Sequence, residues 1–199
     1  MSPRPLALLV AVLLALGALP AAAQVSLAEI GAYFNAFRTA QAEFTQVNAD
    51  GTISTGTLYI HRPGRVRFEY DPPADQLVMA GGGQVAVFDG KSSAGPEQYP
   101  LSRTPLSIIL ADTVDLSRER MVTAHTSDGA TTTVTARDPA NPDSGTLRLV
   151  FTDDPVQLRQ WVVTNGAGEE TTVILGEMRT GGALPARLFN IVQEAQNWR

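Results

Sequence analysis

Beyond position 40 the chain alternates apolar and polar residues in short runs rich in Thr, Val, Ile, Phe and Tyr, the two-residue period of strands with one face turned to a core. The alternation assigns faces. Val66, Phe68 and Tyr70 share one side and Arg65, Arg67 and Glu69 the other; Leu147, Leu149 and Phe151 oppose Arg148 and Thr152; Trp161 and Val163 oppose Gln160 and Thr164. The pattern predicts about ten strands, near 41–48, 53–62, 65–71, 76–80, 84–89, 119–126, 131–137, 145–152, 157–164 and 170–178. Asp50-Gly51, Asp89-Gly90, Asp128-Gly129 and Asn165-Gly166 suit tight hairpin turns, whose central residues must accept positive φ. Successive strands therefore read as an antiparallel meander, and a sheet of that many strands with one strongly apolar face has to curl.

Two segments break the alternation. Ile30, Tyr33, Phe34 and Phe37 recur at i, i+3, i+4 and i+7, so an amphipathic helix precedes the sheet, with Ser26 as its cap and Glu29 completing a capping box. The second break lies between Gly90 and Asp115: a Gly, Ser and Pro loop from Lys91 to Gln98, then Thr104 to Leu110, a short helix with Thr104 as cap and Pro105 in its first turn. Leu106, Ile108, Ile109 and Leu110 are too many apolar groups for one narrow stripe. The mouth of a curled apolar sheet would cover them.

The first residues carry a different signal. Arg4 precedes an apolar run from Leu6 to Leu19, and Ala21-Ala22-Ala23 supply the small residues a signal peptidase requires. The run is short of the roughly 20 residues that span a bilayer, so residues 1–23 are expected to be a cleaved secretory signal and 24–199 a single exported domain. The sequence holds no cysteine, which excludes a lipid-modified N-terminus, a disulfide framework and a thiol nucleophile. A net charge of −5 argues against nucleic acid, whose phosphates demand a basic face.

No familiar catalytic constellation is present. His61 and His125 lack the spacing of helical metal ligands and read as surface strand residues. Asp89-Gly90-Lys91-Ser92 lacks the upstream glycine of a phosphate-binding loop, and Gly81-Gly82-Gly83 and Asp153-Asp154-Pro155 read as turns. No metal, cofactor or enzyme activity is indicated. Arg65 and Arg67 read as a solvated outer strand face, with partner docking as the alternative. Arg62 differs, because Leu58, Ile60 and Arg62 share one strand face and a guanidinium closing an apolar row must find carbonyl or carboxylate partners. Alternatively the strand ends at Ile60 and the arginine reaches water from the rim.

Three blocks, I-H-R-P-G-R-V-R-F-E-Y-D-P-P from Ile60, G-G-Q-V-A-V-F-D-G from Gly82 and Y-P-L-S-R-T-P-L-S-I-I-L from Tyr99, with Phe44-Thr45-Gln46 after the first helix, resemble the periplasmic outer-membrane lipoprotein carrier (LolA) family over essentially the whole exported chain. The resemblance implies a mainly β fold, an unclosed antiparallel β-barrel of about 10–11 strands with an N-terminal helix and a short helical lid over an apolar cavity. It implies a periplasmic chaperone that takes the acyl chains of lipoproteins from an inner-membrane ABC release complex to an outer-membrane receptor, working as a monomer. The acyl chains would lie against Leu58, Ile60, Val66, Phe68, Tyr70, Leu147, Leu149, Phe151 and Trp161. Arg62 stands where the family's arginine bonds to lid residues, and Leu106, Ile109 and Leu110 would fill the mouth of the empty carrier. The chain departs from the family in carrying Phe68 and Ala86 where Trp is frequent, and Gly81-Gly82 where Asp-Gly is frequent. A general periplasmic binder of lipids or other hydrophobic ligands on the same sheet is the alternative.

Overall fold

The computed structural model describes residues 24–118 and 120–198; the expected signal segment, residues 1–23, lies outside the described residues. Helix α1 (Leu27–Asn35) opens the chain under the expected capping box, Ser26 accepting from the Glu29 amide and Glu29 from the Ser26 amide. Strands β1 (Thr39–Val47), β2 (Ile53–His61), β3 (Arg65–Tyr70), β4 (Gln76–Gly81), β5 (Gln84–Asp89) and β6 (Glu97–Pro100) follow, and a crossing segment leads to β7 (Val122–Ser127). The chain then forms β8 (Thr131–Ala136), β9 (Thr146–Asp153), β10 (Val156–Thr164), β11 (Glu170–Leu175) and the two-residue β12 (Arg179–Thr180), and ends in helix α2 (Ile191–Asn197).

All strands join one antiparallel sheet ordered β6-β5-β4-β3-β2-β1-β11-β10-β9-β8-β7, with β12 also paired to β1. The fold is thus mainly β and unclosed: β6 and β7 are consecutive in sequence yet form the two opposite edges. Curling is visible in the side chains. Phe68 on β3 and Trp161 on β10 are four strands apart across the sheet, and their ring centroids are 6.2 Å apart in an edge-to-face contact, which only a sheet bent back on itself permits. A bulge between Leu158 and Gln160 lets Leu158 and Trp161, three residues apart, both join the interior cluster.

The structure departs from the sequence reading at two strands. Residues 97–100, of which the sequence reading places 97–98 in a loop and 99–100 in no element, form β6; as an edge strand it needs one partner only and tolerates Pro100. The brief β12 extends the β1 edge beyond β11. Residues 104–110 form no regular α-helix, but two 3-10 turns, Leu101–Arg103 and Pro105–Ser107, with Pro105 in the first position of the second; Thr104 gives its hydroxyl to the Leu101 carbonyl rather than capping.

Arg67 is a further correction. It lies not on a solvated face but 8% exposed, giving hydrogen bonds to Glu69 Oε1 at 2.6 Å, Glu194 Oε2 at 2.8 Å and the Leu188 carbonyl at 3.2 Å. The outer side of β4 and β5 carries a second apolar cluster of Leu77, Met79, Ala86 and Phe88, capped by Ile191 and Trp198. His61 is likewise not an open surface residue, its ring packing edge-on to Phe189 with centroids 5.7 Å apart. The C-terminal segment thus straps the outer face, and Arg67 pins it through the Glu194 carboxylate and the Leu188 carbonyl, while its bond to Glu69 stays within β3.

Candidate functional site: an apolar concavity, its lid and a buried arginine

The concave face gathers one continuous cluster. Leu58 and Ile60 from β2, Val66, Phe68 and Tyr70 from β3, Leu147, Leu149 and Phe151 from β9 and Trp161 from β10 all belong to it, together with Ile109, Leu110 and the partly buried Leu106. Helix α1 fills one end: Phe34 meets Phe151 at 6.0 Å and Tyr33 meets it at 5.7 Å, both edge-on. Ile108, Ile109 and Leu110 are at most 6% exposed, so the part of the crossing segment expected to act as a lid packs into the concavity. Clefts of about 540 Å³ lie elsewhere, one bounded by Arg67, Pro73, Asp75 and Trp198, another by Glu43, Thr45, Thr57 and Ile174.

The lid meets α1 and the end of β2 through a polar node. Arg62 directly follows β2, its amide bonded to the Arg38 carbonyl at 2.7 Å. Its side chain does not reach water, being 2% exposed. Nε donates to the Ala111 carbonyl at 3.1 Å, and Nη2 donates to the carbonyls of Ala111 at 2.8 Å and Asp112 at 3.2 Å and to Asn35 Oδ1 at 3.2 Å. Nη1 turns the other way, to the carbonyls of Phe34 and Phe37 at the end of α1. A planar fork of five N–H donors is the side chain able to satisfy so many diverging acceptors at once. The Phe34 carbonyl belongs to the negative, C-terminal end of the α1 dipole, which favours a cation there. Burial, and next the charge of Arg38, hold the Arg62 pKa below the ordinary arginine value, with Asp112 acting in the opposite sense.

Sequence reading missed the partners of this node. Asn35 receives the Val114 amide on Oδ1 and gives Nδ2 to the Val114 carbonyl, both at 2.9 Å, completing a two-bond splint between α1 and the lid. Arg38 reaches the Asp112 carboxylate at 2.7 Å on the exposed side, and the Gly64 amide donates to the Leu110 carbonyl at 2.8 Å. Asn35 carries no periodic signal: it is the last residue of its helix, and its role follows only from where the lid crosses.

Tyr70 closes the far end of the concavity, giving its hydroxyl to Gln46 Oε1 at 2.8 Å. Burial pushes its phenol up to about 12 from an ordinary 10.0, the Gln46 bond acting in the opposite sense. Because the folded state holds this proton more tightly, its contribution to stability is intact below pH 10 and is lost as pH rises from about 10 to about 12, amounting to about 2 kcal/mol. Denaturant melts across that range should show the decline, to which Tyr33, Tyr59 and Tyr99, whose phenols burial also pushes up, add in the same direction; Tyr70→Phe should lessen it, and an unchanged slope in the variant would clear Tyr70 of it.

Among the described residues no helix is long and apolar enough to cross a membrane, and no group of three or more His, Cys, Asp or Glu is arranged to hold a metal ion. The family model of the outer membrane lipoprotein carrier protein LolA matches residues 35–192. An outer-membrane lipoprotein carrier protein of Coxiella burnetii (strain CbuK_Q154) is 30% identical over 162 residues, covering 77% of this chain and 76% of that protein. Its counterpart from Pseudomonas paraeruginosa is 27% identical over 165 residues, covering 78% and 77%. Among solved structures, the LolA superfamily protein NE2245 from Nitrosomonas europaea aligns with a TM-score of 0.44 at 12% identity, covering 83% of this chain and 98% of that one. The match of the family model from the end of the first helix into the C-terminal strap establishes that the chain belongs to the LolA family of outer membrane lipoprotein carrier proteins.

Proposed function

We propose that the protein is a periplasmic chaperone that shelters the acyl chains of lipoproteins on the concave face now covered by the lid. In this reading residues 1–23 are a leader removed after Ala23, and the exported chain takes cargo from an inner-membrane ABC release complex and surrenders it to an outer-membrane receptor. The observation that carries the reading is the pairing of an almost wholly apolar concavity with a lid fastened through one buried polar node centred on Arg62.

Each methylene removed from water contributes about 0.8 kcal/mol, so a long acyl chain brings a drive of order 10 kcal/mol toward such a surface. Leu106, Ile108, Ile109 and Leu110 compete for the same surface, and the Arg62 and Asn35 bonds favour the closed form. Cargo affinity is reduced by whatever it costs to lift the lid. A carrier needs that reduction, since a ligand held at full hydrophobic strength would not leave.

Native mass spectrometry of the protein purified from the periplasm tests the assignment. A lipoprotein polypeptide bound to the chain, displaced into membranes that contain the receptor, is the expected result. Free phospholipid alone as the bound species would replace the carrier by a general lipid binder.

A further inference from the structure

The first residues of the described chain are held by a polar relay that ends on an unsatisfied oxygen. The Val25 amide donates to Thr132 Oγ1 at 3.0 Å, and the Thr132 hydroxyl donates to Asp153 Oδ1 at 2.8 Å. The Val25 carbonyl accepts from His125 Nε2 at 2.9 Å. Val25 is 4% exposed and Thr132 is fully buried, so this is a built attachment and not a trailing end. Asp153 Oδ2, however, is sealed from solvent and has no hydrogen-bond partner among the described residues. A carboxylate oxygen in that position is costly unless a donor, and best a cation, faces it.

Such a cation arises one residue upstream. Cleavage after Ala23 would turn the Gln24 nitrogen from an uncharged amide into an ammonium, and consecutive residues span at most about 3.6 Å. Gln24 is exposed, so its nitrogen can swing about the fixed Val25. We propose that the α-ammonium created at Gln24 by leader removal pairs with Asp153 Oδ2, so that processing completes the seam joining the N-terminal helix to β8 and β9. The site takes a primary ammonium supplied by the chain itself. An uncleaved precursor offers only a neutral amide there, and its first helix is correspondingly less firmly seated.

The inference rests on the cleavage position proposed above, and the two are separable. Intact mass and N-terminal sequencing of the exported protein read the position directly; a start other than Gln24 overturns both that reading and the physiological pairing. The pairing itself is tested on a chain released from a fusion so that it begins at Gln24. Glutaminyl cyclase closes the α-amine onto Cδ of the Gln24 side chain with loss of ammonia, removing the charge without adding bulk. The expected result is a loss of about 3 °C in Tm on cyclisation and no loss on cyclisation of Asp153→Asn. Gln24→Ala, which cannot cyclise, should be indifferent to the enzyme. Equal melting of the two wild-type forms, or the same loss in both backgrounds, overturns the pairing. Should Asp153→Asn not fold, titration of the wild-type α-amine decides: facing Asp153 from β9 and His125 from β7, it should titrate above its usual range near 8, and an ordinary midpoint overturns the proposal.

Discussion

Replacing Arg62 by leucine is expected to loosen the lid while leaving the sheet intact. The substitution removes every donor that reaches the carbonyls of Phe34, Phe37, Ala111 and Asp112 from this side chain. Each buried carbonyl left unpaired costs about 1–3 kcal/mol, but the lid can move and let water in, so the loss appears as easier opening more than as global unfolding. A drop of about 3 kcal/mol in the opening free energy corresponds to roughly 100-fold faster amide exchange. The amides of Gly64, Leu110 and Val114, each bonded within or to the lid, report it, with the β9–β10 ladder as an internal control. In function the variant should accept lipoprotein and release it slowly, since the closed form no longer competes. Lid amides exchanging at the wild-type rate, or unaltered acceptance and hand-over, would remove Arg62 from the mechanism.

The second large effect is expected at Gly56. This residue faces Phe44 on β1 and Tyr70 on β3 in register, and the two rings meet over it at 5.2 Å, edge to face. A Cβ at position 56 would stand 2.0 Å from the Glu69 carbonyl oxygen and 2.9 Å from Phe44 Cε1. The first contact is with backbone, so no rotamer change relieves it and the strands must part. Gly56→Ala should cost about 3 kcal/mol, a fall of about 6–12 °C in Tm for a domain of this length. A thermal melt followed by circular dichroism measures it, and a midpoint within a degree or two of wild type would mean that the strands yield cheaply there.

How far the residues disclosed this arrangement depends on which contacts are local. The faces of β3 and β9 follow from alternation alone, and Leu58, Phe68, Leu149 and Phe151 point where their spacing puts them. The capping box at Ser26 is equally local. The outer cluster was less visible because Gln76–Gly81 and Gln84–Asp89 carry apolar residues on both faces, the pattern of a strand covered on both sides, and only the C-terminal strap shows what does the covering. Arg67 was misplaced for the same reason: its period puts it outside, and a solvated exterior is assumed until Glu194 arrives from more than a hundred residues away. The bulge after Leu158 and the splint made by Asn35 are likewise products of tertiary crossing, with no periodic trace.

One topological feature bears on how such a carrier would let go. The segment that covers the hollow leaves the sheet at β6 and re-enters it at β7, the two free margins of the same wall. A plug anchored at both ends never diffuses away when displaced; it stays at an effective concentration in the millimolar range or above. Any guest therefore sits beside a permanently available rival for its place. In the proposed role, departure would then need no external fuel, only an acceptor that captures the tail each time the tethered rival pushes it out.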